Sequence, residues 1–84
     1  MHYTIGTEDK NREGIRAILD LFFDAYTMIP SLGCWKGKPE PALTISIAGN
    51  VDPLHVQSAA EQIRDMNAQD AVMVLATEAE LLLV

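Results

Sequence analysis

Basic residues are scarce in this chain. Lys and Arg number 6 against 12 Asp and Glu, for a formal net charge of -6. Non-specific attachment to DNA, RNA or an anionic membrane draws on clustered Lys and Arg, so none of these is an expected partner. Cysteine occurs once, at Cys34. A single thiol closes no intramolecular disulfide, which favours a reducing, cytoplasmic setting. No apolar run approaches the roughly 20 residues of a membrane helix. The N-terminus lacks the basic start and long apolar run of a signal peptide. Phosphate loops of the Walker or Rossmann kind are missing, since Gly33-Cys34-Trp35-Lys36-Gly37 matches neither. His2 and His55 have no Cys, Asp or Glu nearby at ligand spacing, so no metal or cofactor is expected. Cys34 has no evident base beside it and reads as a small buried or half-buried hydrophobe rather than a nucleophile.

What is present suffices for one domain. The chain has 84 residues, a length that buries a modest core and makes partner subunits a plausible source of extra burial. Its charge is uneven. Up to Glu40, Lys10, Arg12, Arg16, Lys36 and Lys38 nearly balance the acids, whereas beyond it Arg64 stands alone against Asp52, Glu61, Asp65, Asp70, Glu78 and Glu80. An anion-binding site should therefore use the first half.

Periodicity gives the element order. His2–Ile5 alternates and reads as a strand, followed by a polar loop over Gly6–Asn11. Ile15, Ile18, Leu19, Phe22, Phe23 and Tyr26 form an apolar stripe that predicts a helix over Arg12–Met28, with an Arg16–Asp20 pair on the wet face. Ile29 and Pro30 end it. Leu32–Trp35 is a short strand, and Lys36–Pro41 is a loop, because two prolines and a glycine oppose a ladder. Leu43, Ile45 and Ile47 alternate with Thr44 and Ser46 in the clearest strand of the chain. Gly49-Asn50 turns. Asp52-Pro53 starts a second helix, with Val56, Ala59, Ala60 and Ile63 buried and Asn67–Asp70 closing it. Ala71–Ala76 is a core strand apolar on both sides, and Leu81–Val84 offers a further edge strand. The β-α-β-β-α-β order predicts a ferredoxin-like α+β sandwich, an antiparallel sheet with two helices on one face. The other face carries Thr4, Thr44 and Ser46, which lack the base-stacking aromatics of an RNA-binding sheet and suit packing against a second sheet.

One segment concentrates chemistry: Trp35-Lys36-Gly37-Lys38-Pro39-Glu40-Pro41. Trp35 offers a flat surface to a planar ring, Lys36 and Lys38 offer charge to phosphates, and Glu40 accepts hydrogen bonds from ribose hydroxyls or an amino group. Tyr26, Arg12 and Lys10 join them if the loop after the first strand lies close. The plainer alternative packs Trp35 against the first helix and leaves the lysines to solubilise a hairpin tip.

Gly33-Cys34-Trp35 through Glu40, followed by Ala42-Leu43-Thr44-Ile45-Ser46-Ile47, resembles a set of short phage and prophage proteins. The resemblance implies the ferredoxin-like fold and a viral source, with the host cytoplasm as the site of action. It brings no catalytic residues. In size and character the chain is similar to compact phage oligomers that sequester nucleotide-derived immune signals. The first expectation is thus a non-enzymatic homo-oligomer holding a small anionic nucleotide-like ligand. The second is an acidic inhibitor or adaptor of a basic host protein. The third is a small dimeric ferredoxin-like enzyme, for which His55 and Glu40 are the only nominees.

Overall fold

A computed structural model describes residues 1–77. The expected edge strand at Leu81–Val84 lies outside the described residues. The elements run β1 (His2–Glu8), α1 (Arg12–Phe22), β2 (Thr27–Trp35), β3 (Lys38–Ala48), α2 (Pro53–Met66) and β4 (Met73–Thr77). The strands form one antiparallel sheet in the order β2-β3-β1-β4. This is the ferredoxin-like α+β arrangement that the element order predicts.

Alternation builds it. Tyr3, Ile5 and Thr7 of β1 are buried and lie opposite Ile47, Ile45 and Leu43 of β3, which are buried as well. Ile15, Ile18 and Leu19 of α1 join Val56, Ala59, Ala60 and Ile63 of α2 in the same cluster, so both helices cover one face. Each fully buried Ile or Leu contributes about 1.5–3 kcal/mol relative to an exposed one. Thr4, Thr44 and Ser46 fall on the other face, as expected from their parity, and are only half-buried.

Several boundaries differ from those predicted. Helix α1 stops at Phe22, six residues before Met28. Phe23 takes an extended backbone while its N–H still reaches the Leu19 carbonyl. It is buried in the core from that position, so the apolar stripe continues past the helix without helical geometry. Tyr26 follows in the connection, and Met28–Pro30 belong to β2. Arg16 and Asp20 do not form the expected pair; Asp20 instead accepts the Tyr26 hydroxyl at 2.6 Å. Strand β1 runs on to Glu8.

The largest correction concerns Lys36–Pro41. Only Lys36 and Gly37, with φ of 51° and 79°, form the turn. Positive φ at both positions is the two-residue hairpin turn whose twist matches the strands it joins. Such a turn makes Trp35–Lys38 a hydrogen-bonded pair, and bonded pairs alternate from there. Pro39, Pro41 and Pro30 then all fall on non-bonded positions, opposite Cys34, Leu32 and Leu43. The prolines therefore leave the β2–β3 ladder whole. On the other side of β3, β1 ends at Glu8 opposite Ala42, so Pro39 and Pro41 owe it no donor. The Pro41 carbonyl still accepts the Asp9 N–H at 3.1 Å. Pro30 lies on the sheet's edge strand, where a missing donor is tolerated.

Cys34 is exposed rather than buried, because it sits on this outer part of the hairpin. Strand β4 starts at Met73 and all five of its residues are exposed, unlike the core strand expected over Ala71–Ala76.

Helix α2 has the predicted start, with the Asp52 carboxylate accepting the Leu54 N–H at 2.9 Å ahead of Pro53. At its end the Gln69 N–H bonds the Arg64 carbonyl and the Ala68 N–H bonds the Asp65 carbonyl. This is the double-bonded helix stop that places a left-handed residue just past the cap. Here that residue is Ala68, with φ of 52°. Ala68→Gly should therefore raise stability by about 1 kcal/mol, read as a higher urea midpoint with an unchanged slope.

Candidate functional site

The parity that buries Ile5 and Ile45 turns Gly6, Gly33, Ala42 and Thr44 to the helix-free face. These small side chains form the floor of a groove of about 440 Å³. One wall is the outer part of the β2–β3 hairpin, with Trp35 and Glu40. The other is the segment that leads from α2 into β4, from Gln69 to Met73.

Polar bonds fix that second wall. The Gln69 side-chain amide donates to the Thr7 hydroxyl at 2.8 Å, and its oxygen lies 3.1 Å from the same hydroxyl and 3.3 Å from the Glu8 N–H. Lys10 Nζ donates to the Asn67 carbonyl and Asn67 Nδ2 donates to the Lys10 carbonyl, both at 2.9 Å. The end of α2 is thereby tied to the end of β1, and the groove keeps its width without a disulfide. Floor and hairpin are joined too, by the Ser31 and Thr44 hydroxyls at 3.1 Å.

The hairpin carries β2 and β3 past the last β1 pair through Trp35–Lys38, a projection of about 13 Å at strand rise. Trp35 is 51% exposed on the groove side, so it does not pack against α1. Lys36 Nζ lies 5.7 Å from the centre of its ring, a cation–π distance. Lys38 is the cross-strand partner of Trp35 and is exposed on the same face. Glu40 is half-buried, directly opposite Gly33. The structure thus brings together Trp35, Lys36, Lys38 and Glu40.

The remaining expected contacts stand elsewhere. Tyr26 precedes β2 at the end opposite Trp35, about 30 Å away at strand rise. Burial, then the bond to Asp20, raises its pKa. Arg12 begins α1 and holds Asp9 with two bonds of 2.6 and 2.8 Å, which keep the Asp9 carboxyl below its ordinary range. His55 lies at the start of α2 with its ring 5.7 Å from that of Phe22, away from Glu40. Sequence reading missed the rest of the groove: Glu8 and Asp70 on its rim, and Gln69 as its brace. Only pairing register, which places Glu8 beside Ala42, reveals them.

The charge of the lining is one-sided. Glu8, Glu40 and Asp70 line the groove and no Lys or Arg does. Two cations, Lys36 and Lys38, stand at the hairpin tip, and Lys10 braces the second wall with its ammonium on the Asn67 carbonyl. Among the described residues, no group of three His, Cys, Asp or Glu converges closely enough to hold a metal ion. The arrangement can stack a ring, accept hydrogen bonds from it, and meet negative charge only at the tip.

Lys36 has a further peculiarity. The first position of this turn favours Asn or Gly, and a lysine there is strained. Strain held at a surface position is a pointer to use of the side chain. Lys36→Asn should stabilise the fold by about 1 kcal/mol in urea titration. Tyr26→Phe should leave groove binding unchanged. The raised Tyr26 pKa adds stability that is present below the ordinary tyrosine value and lost as pH rises through the folded one. The variant should accordingly show a flatter alkaline limb in its stability profile.

A scan of protein-family models found none that matches this chain, and a search of curated proteins found no match either.

Proposed function

We propose that the chain is a non-enzymatic binding protein that sequesters a small nucleotide-derived ligand as a homo-oligomer, in the manner of a phage anti-defence protein. The observation that carries this reading is the half-exposed Trp35 at the mouth of a groove floored by small residues, with two ammonium groups on the same hairpin. The base stacks on the indole. Its amino group and the ribose hydroxyls donate to Glu40 and Glu8. The phosphates stay outside, at Lys36 and Lys38, because the acidic lining repels them from the floor. Like charge thus sets the orientation of the ligand. The pattern shared with short phage proteins supports the viral setting, and a host cytoplasm is where such a signal is met.

A second reading, an acidic adaptor for a basic host protein, draws on the helix side. Leu21 and Leu54 are 76% and 67% exposed there, with Asp20, Asp24 and Asp52 around them in sequence. Apolar anchors rimmed by acid suit a basic partner.

Thermal-shift and calorimetric titration with cyclic dinucleotides, cyclic oligoadenylates and ADP-ribose derivatives separates the two. The expected result is a raised melting temperature with at least one of them. Trp35→Ala should weaken that ligand about tenfold or more, since stacking a base on an aromatic contributes about 1–3 kcal/mol. No shift with any of the three classes sinks the nucleotide reading. Salt-sensitive capture of a basic protein, lost in Leu21→Ser with Leu54→Ser, would replace it with the adaptor.

A further inference from the structure

The helix-free face exposes more apolar surface than a groove for one small ligand needs. Ile29, Trp35, Met73 and Leu75 are 47%, 51%, 57% and 52% exposed. Pairing register puts all four on this face: Ile29 opposite Thr44, Trp35 opposite Lys38, Met73 opposite Gly6 and Leu75 opposite Thr4. The four lie on the edge strands β2 and β4 and flank the small and polar residues of β3 and β1, so exposed apolar side chains border this face on both sides, as at the margins of an interaction site.

The charges on the same face are sorted into two ends. The groove presents Glu8, Glu40 and Asp70 without a cation, while the projecting tip presents Lys36 and Lys38. A surface with an acidic hollow and a basic finger is complementary to itself. Under a two-fold axis lying between them, the finger of each copy meets the hollow of the other, and both contacts form at once. The projection of about 13 Å gives the finger its reach. Threonine, serine, glycine and alanine over the rest of the face let the two sheets approach closely.

We infer that the open sheet face is the interface between two copies of this chain, with the Lys36–Lys38 hairpin tip of one copy seated on the Glu8, Glu40 and Asp70 rim of the other. The contact does not depend on any nucleotide. It rests on the homo-oligomer reading above: in the pair, the lysines at the mouth of each groove are the partner copy's, so a ligand's phosphates meet ammonium groups at the rim and not over the acidic floor.

The mass of the ligand-free full chain, measured by light scattering and sedimentation from micromolar to hundreds of micromolar, tests this. The wild type should be a two-chain species that loosens as salt rises. Lys36→Glu with Lys38→Glu should weaken association about tenfold or more, and Glu8→Lys with Asp70→Lys should do the same. Mixing the two double variants should restore a two-chain species of mixed composition, which also shows that both are folded. A monomer across the whole range overturns the inference. So does an assembly that neither reversal affects, or one that mixing does not restore. A monomer that instead binds a short Lys-rich peptide overturns it in favour of a basic partner protein. Mass without ligand and thermal shift with ligand are separate readouts, so failure of the interface and failure of the nucleotide reading are distinguishable.

Discussion

Ile5 lies directly opposite Ile45 across the two central strands, and neither exposes any surface. With Tyr3 against Ile47 and Thr7 against Leu43, this seam sets the sheet register. A slip of one residue would turn every one of these side chains to the wrong face. Both helices are anchored to the seam, since the buried residues of α1 and α2 share its cluster. The helix-free face is therefore decided by the same contact. Gly6, Ala42, Thr44 and Glu8 line the groove because their neighbours in sequence are needed in the core.

How much of this was legible in the sequence depends on what fixes each element. The β3 core was plain from strict alternation at Leu43, Ile45 and Ile47, and the start of α2 from Asp52-Pro53. Residues Trp35, Lys36, Lys38 and Glu40 were legible as a group because they are close in the chain. The end of α1 was not, because Phe23 and Tyr26 continue helical spacing while the backbone leaves the helix. The hairpin was misread because proline was weighed by number and not by position. Every proline of the hairpin sits where no donor is required, and that is visible only once the turn at Lys36-Gly37 fixes the pairing. Glu8, Gln69 and Asp70 were hidden for a different reason. They reach the groove through the pairing of β1 with β3 and the bonds of Gln69 to Thr7 and Glu8, between segments distant in sequence, which no local pattern encodes.

The groove is a compromise between charge and shape. Its walls fit a planar guest, yet its lining repels anions, so negative charge is welcome only at the tip. On the proposed reading, recognition divides along the hairpin, with stacking and hydrogen-bond acceptance inward of Trp35 and cation contacts at the turn.

The projecting part of the hairpin also separates two kinds of stability within one small molecule. From Gly33 to Glu40 the strands pair only with each other, so their amide protons should exchange through local opening that leaves the seam intact. The fixed φ of Pro39 and Pro41 narrows the conformations available once such an opening occurs. A finger of this kind is stiff enough to present a tip yet energetically detached from the core. Selection can rewrite its end residues at little cost to folding, while the aliphatic half of the same strand stays constrained.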